Sequence, residues 1–126
     1  MSRHFIALMI LALALPAQRV HAQERIIPQP NRIEIDHGSF ALNRNVRIVA
    51  PADRRAQEIA AFLRDGIRED SGIALRTGAA GDQPRIELRT DPSVHGEEAY
   101  RLTVTPQRVE IAAADDRGLF WGVQTL

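Results

Sequence analysis

Two hydrophobic periods divide the chain. Over residues 32–36, Ile33 and Ile35 alternate with Arg32, Glu34 and Asp36, the two-residue period of a strand buried on one side. His37-Gly38 is a turn signal. Phe40 and Leu42 resume the apolar face, and after a turn at residues 43–45 so do Val46, Ile48 and Ala50, with Arg47 outward. The period then changes. Ala56, Ile59, Ala60, Leu63 and Ile67 recur at helical spacing with Phe62 beside them. Asp53 is positioned as the N-cap, and Ser71-Gly72 as the stop, with glycine taking the left-handed cap. Gly66 weakens the last turn of this helix.

Residues 73–77 are expected to be an extended connection and residues 78–84 a loop. Residues 85–89 alternate again, with Ile86 and Leu88 inward. After a polar loop, Tyr100, Leu102 and Val104 alternate toward Pro106-Gln107, and Val109, Ile111 and Ala113 return, the best hairpin in the sequence. A second helix follows, capped by Asp115 or Asp116. Leu119, Val123 and Leu126 share one face, and Phe120 and Trp121 are expected to widen it. No stop signal follows, so this helix has the pattern of one interrupted rather than finished.

The expected order is β-β-β-α-β-β-β-α. It predicts an α+β, two-layer domain with a mostly antiparallel or mixed β-sheet and two helices on one face. Ile33, Ile35, Val46, Ile48, Ile86, Leu88, Leu102, Val104, Val109 and Ile111 should point into the core. Arg32, Glu34, Arg47, Arg85, Glu87, Arg89, Arg101 and Glu110 should form a wet, mixed-charge outer face.

The chain start changes the picture. Arg3 and His4 precede eleven unbroken apolar residues, 5–15. That run is too short for a bilayer needing about twenty. Pro16 breaks it, and Val20-His21-Ala22 fits a cleavage site. We expect residues 1–22 to be a signal peptide, residues 23–126 to be the mature domain, and its location to be the bacterial periplasm or outside the cell. After cleavage no membrane association is expected. Cysteine is absent, which excludes a lipid-attachment site and a disulfide framework. Loss of Arg3 and Arg19 with the leader leaves 14 basic against 16 acidic side chains, a net charge of −2. That balance gives no electrostatic reason to bind nucleic acid.

The residues offer little catalytic chemistry. No phosphate-binding glycine loop and no nucleophile elbow occur. His37 and His95 lie in turns, and His95 does not begin an HExxH motif, so no metal site is expected. Glu69-Asp70, Glu97-Glu98 and Asp115-Asp116 are the adjacent acid pairs. Their positions at a helix end, in a loop and at a helix start suit structural roles better than paired acid/base work. Trp121 could stack on a sugar, but its helical setting beside Phe120 and Val123 suits core or interface better.

Four segments occur in a telling order: Ile26-Ile27-Pro28-Gln29-Pro30, Ser71-Gly72-Ile73-Ala74-Leu75, Glu98-Ala99-Tyr100-Arg101-Leu102, and Gly118-Leu119-Phe120-Trp121-Gly122-Val123-Gln124-Thr125-Leu126. Together they resemble the N-terminal domain of family 20 glycoside hydrolases, the β-N-acetylhexosaminidases. The resemblance spans residues 25–126 and implies an α+β domain that precedes a catalytic (β/α)8 barrel. The family's catalytic pair is an Asp followed directly by a Glu on that barrel; the Glu is the general acid and the Asp orients the substrate's acetamido group. Asp-Glu occurs nowhere in this sequence. The resemblance therefore implies no catalytic residue, cofactor or metal here, and no turnover by this chain alone. The implied partners are the parent's barrel and, through the parent, N-acetylhexosamine glycans. Phe120, Trp121 and Leu126 are the expected barrel-docking interface. The alternative is a stand-alone secreted module that binds carbohydrate or protein.

Overall fold

The structure, a computed structural model, describes residues 31–34 and 37–126. Five strands and two helices follow in the order β1 (Arg47–Val49), α1 (Arg54–Ser71), β2 (Arg76–Thr77), β3 (Arg85–Thr90), β4 (Tyr100–Val104), β5 (Arg108–Ala113) and α2 (Asp116–Thr125). The strands form one sheet in the order β2-β1-β3-β5-β4. Pairings of β1 with β2, β1 with β3, and β3 with β5 are parallel; β4 with β5 is antiparallel. The expected mixed sheet is present, with parallel pairing in the majority.

The expected strand order needs correction at its start. Among the described residues one strand precedes α1, not three. Phe40 and Leu42 lie in irregular chain, and Ile33, expected in the core, is 55% exposed and in no strand. Ile35 and the expected signal peptide, residues 1–22, lie outside the described residues. A two-residue alternation describes a chain able to pair; whether an edge is there to receive it is a tertiary matter. Conversely, the connection expected at 73–77 contributes β2, which closes a β1-α1-β2 crossover with parallel strands.

Local chemistry explains each helix. Asp53 accepts from the Ala56 N–H at 2.9 Å, and Gly72, at φ 72°, closes α1 by donating its N–H to the Arg68 carbonyl. Of the two candidate caps for α2, Asp115 is the one used, accepting from the Gly118 N–H at 2.9 Å. The hairpin turns through Pro106 and Gln107, with Thr105 and Arg108 exchanging backbone hydrogen bonds.

Both helices cover one face of the sheet. Their apolar stripes meet inward rows set by strand register: Ile48, Ile86 and Val109 in one row, Leu88, Ile111 and Leu102 in the next. Ile48, Ile86, Ile111, Leu119 and Val46 are the largest fully buried side chains. Val104, expected inward, is 52% exposed at the end of the edge strand. No described helix is long and apolar enough to cross a membrane.

Candidate functional site

The helix layer buries one side and displays the other. In α1 the buried residues are Ala56, Ile59, Ala60 and Leu63, whereas Phe62 lies off that stripe and is half exposed. In α2 the buried residues are Gly118, Leu119, Gly122 and Val123. The two glycines face β4 and β5. A Cβ on Gly118 would strike the Ala99 carbonyl oxygen and lie 2.7 Å from the Ala113 Cβ; one on Gly122 would strike the Ile111 Cγ2. This close approach leaves no room for bulk between α2 and the sheet. Phe120 and Trp121, expected from the sequence to widen the buried face, therefore do not; both are 37% exposed.

Three aromatic rings meet on this outer surface. The Phe62 and Phe120 centroids lie 5.7 Å apart with a 40° tilt, and those of Phe120 and Trp121 lie 5.9 Å apart, edge to face. They line an open cleft of about 590 Å³ whose rim carries Arg55, Glu58, Glu98, Asp116 and Arg117. Glu58 accepts from Arg54 Nε at 2.8 Å and from Arg55 Nη1 at 3.3 Å. The Arg54 bond, chiefly, holds its carboxyl below the usual value. Glu98 sits at φ 61°, a left-handed conformation that favours glycine.

Phe62 also borders a second, more apolar groove of about 690 Å³, formed with Phe40, Leu42, Ile67, Val104 and Leu126. Leu42, Val104 and Leu126 are 38%, 52% and 48% exposed. The three residues expected at a docking interface thus divide: Phe120 and Trp121 sit at the cleft, and Leu126 at the neighbouring groove, with Phe62 joining the two. Sequence reasoning missed Phe62, Leu42 and Val104. For Phe62 a signal existed, because at 100° per residue it falls well outside the Ala56-Ile59-Leu63 stripe.

The remaining candidates stay apart from any reactive arrangement. Asp115 is occupied as a helix cap, His95 is exposed in the 91–99 loop, and Glu69 and Asp70 end α1. Among the described residues no three His, Cys, Asp or Glu side chains are grouped to hold a metal ion.

Comparison with known proteins agrees with this architecture. The family model described as glycosyl hydrolase family 20, domain 2, matches residues 23–126. The GH20 β-N-acetylhexosaminidase of Streptomyces coelicolor A3(2) is 31% identical with a TM-score of 0.71; the match covers 80% of this chain and 20% of that one. The Streptomyces plicatus N-acetyl-β-hexosaminidase is 34% identical (TM-score 0.61), with coverage of 73% and 19%. The GH20 exo-β-N-acetylglucosaminidase of Vibrio harveyi is 25% identical (TM-score 0.63), with coverage of 83% and 16%. No curated protein sequence matches the chain. The chain spans about a fifth of the length of these enzymes. With its model matched from residue 23 to residue 126, the chain belongs to glycosyl hydrolase family 20 as that family's domain 2.

Proposed function

We propose that this chain is the non-catalytic scaffold domain of an exported β-N-acetylhexosaminidase, whose parent removes terminal N-acetylhexosamine from glycans or chitin fragments. The activities named for the Streptomyces and Vibrio relatives support the substrate class. The observation that carries the scaffold role is the outer surface of the helix layer. Phe62, Phe120 and Trp121 are exposed there around the cleft, and Leu42 of the chain before β1, Val104 of β4 and Leu126 at the end of α2 are exposed around the adjoining groove, which shares Phe62 with the cleft. Apolar side chains gathered in this way mark an interaction surface. A catalytic barrel resting on it would bury them and would supply the acid pair this chain lacks.

Two experiments test the reading. Sequencing the DNA beyond the Leu126 codon should reveal in-frame barrel coding; a stop codon with no barrel gene beside it would sink the scaffold role. In the continuous protein, Phe62→Asp with Trp121→Asp should loosen the two domains, read as separate thermal transitions. A single unchanged transition would place docking elsewhere. Export is tested by fractionating cells and sequencing the mature N-terminus, expected at Gln23. The family match beginning at that residue supports this expectation.

A second reading, a stand-alone carbohydrate- or protein-binding module, draws on the same cleft. Its aromatic rings stand beside Glu98 and Asp116, a combination able to stack on a sugar and hydrogen-bond its hydroxyls. Titration with chito-oligosaccharide, followed by the emission of the one tryptophan, separates the two readings.

A further inference from the structure

The opposite face of the sheet is organised differently. Register places Arg76 beside Arg47, Arg47 beside Arg85, and Arg85 beside Arg108. Ile48, Ile86 and Val109, one position on, point into the core, so these four arginines share the outer face. They form one row across four adjacent strands. At roughly 4.8 Å per strand the row is about 14 Å long. The next row holds Glu87 and Glu110, and the one beyond it Arg89 and Arg101, which flank the fully buried Ala112.

Like charges directly opposite one another on a sheet are destabilising, and the carboxylates here are too few to offset them. Glu87 is shared by Arg85 at 3.0 Å and Arg108 at 3.8 Å; Glu110 is shared by Arg89 at 3.3 Å and Arg108 at 3.6 Å. Asp91 serves both Arg89 and Arg101. The acids are also the more sheltered partners. Glu87, Glu110 and Asp91 side chains are 24%, 15% and 13% exposed, against 33–54% for the arginines they pair with. Arg47 is steered by Gln83 Oε1 at 3.0 Å, which orients its guanidinium without neutralising it. Neither Arg47 nor Arg76 has a carboxylate partner among the described residues. Six arginines against three carboxylates leave 10 basic against 13 acidic side chains for the rest of the 16 and 16 in the chain. A neutral composition thus conceals a basic face on an otherwise acidic protein.

We propose that this face binds an acidic polysaccharide, with Arg76, Arg47, Arg85 and Arg108 as its contact row. Guanidinium forks match carboxylates in pairs of hydrogen bonds, and a uronate chain carries one carboxylate on every sugar. Successive arginines a strand apart can meet successive sugars along an extended chain. No aromatic side chain stands in these rows to stack a base, which disfavours single-stranded nucleic acid. The proposal is independent of barrel docking, which uses the helix layer on the opposite side.

The test is titration of the full chain with alginate, a polyuronate, at low salt. We expect binding that weakens as salt rises, and a loss of about tenfold or more in affinity for the Arg47→Gln, Arg76→Gln double variant. Arg68→Gln, on α1, should bind as wild type does. The variants lack ion-pair partners to strand, and an unchanged thermal midpoint confirms the fold; should the double variant melt early, Arg76→Gln alone on the exposed edge strand gives the same comparison. Absence of alginate binding, equal binding by wild type and variant, or tighter binding of single-stranded DNA of equal charge would overturn the proposal.

Discussion

Gly122 of α2 sits directly on Ile111 of β5, so closely that a Cβ at residue 122 would overlap the Ile111 Cγ2 and approach the Tyr100 ring to 3.3 Å. One turn earlier Gly118 makes the same kind of contact with the Ala99 carbonyl and Ala113. Because a backbone oxygen cannot rotate aside, Gly118→Ala should cost more than Gly122→Ala. Overpacking of this kind costs typically 1–3 kcal/mol, and we expect both substitutions to fall in about that range. Urea unfolding of the two variants measures it.

Gly66 presents the opposite case. Nothing lies within 4 Å of a Cβ placed there, and the residue is in the interior of α1. Gly66→Ala should stabilise the chain by up to about 1 kcal/mol through helix propensity alone. A thermal melt should show a rise of a few degrees, roughly 4–8 °C per kcal/mol for a domain of this size.

Tyr100 ties the edge strand to the last turn of α2. Its hydroxyl lies 2.6 Å from the Thr125 Oγ1, and the Thr125 hydroxyl donates to the Trp121 carbonyl at 3.0 Å. With its own proton committed, Thr125 accepts from Tyr100. Tyr100→Phe should therefore cost about 1 kcal/mol, and hydrogen exchange should show faster opening of the end of α2.

Trp121 is the one tryptophan in the chain, and it is exposed. Its emission should be that of a solvated indole in this chain alone and should shift to the blue in a protein that includes the barrel. Trp121→Ala should change the stability of this chain by less than about 1 kcal/mol. A larger loss on thermal unfolding would show that Trp121 supports the domain's own core.

Asp91 sets an acid limit. Its carboxylate accepts from the Ser93 hydroxyl at 2.6 Å and the Ser93 N–H at 2.9 Å, and Arg89 stands 3.0 Å away; chiefly through the Ser93 bonds, its pKa is held below the ordinary 3.8. A carboxylate depressed by folding stabilises in its ionised form. That contribution is complete above the unfolded value and is lost as pH falls through the folded one. Wild type should lose stability as pH drops below about 4, and Asp91→Asn should flatten this acid limb. Melts across pH 2–6 make the comparison.

Much of this domain was legible in one dimension. Asp53, Gly72 and Asp115 announced their helix boundaries because caps are made by side chains and backbone within four residues of each other. The Tyr100 to Ala113 hairpin was equally plain, since its two strands are adjacent in the chain. Phe120 and Trp121 stood out in the sequence as bulky apolar residues of α2, but the direction in which they point was not visible. Leu119 and Val123 suggested one broad apolar face; Gly118 and Gly122 carry no side chain, so a hydrophobic pattern does not register that they are the face in contact. The outer-face arginines were legible strand by strand, but their alignment was not, because a row exists only once register is chosen.

The two helices with their caps, the strands from β3 onward and the membership of the family can be read from residue order alone. Each of these depends on local chemistry or on residue identity. Tertiary packing, by contrast, sets β5 between β3 and β4, parallel to one and antiparallel to the other, and leaves Ile33 without a sheet edge. Those outcomes depend on which distant strands meet. A strand's backbone hydrogen-bonding groups are the same whatever its side chains, so its partner is chosen by the packing of the whole helix layer against the whole sheet.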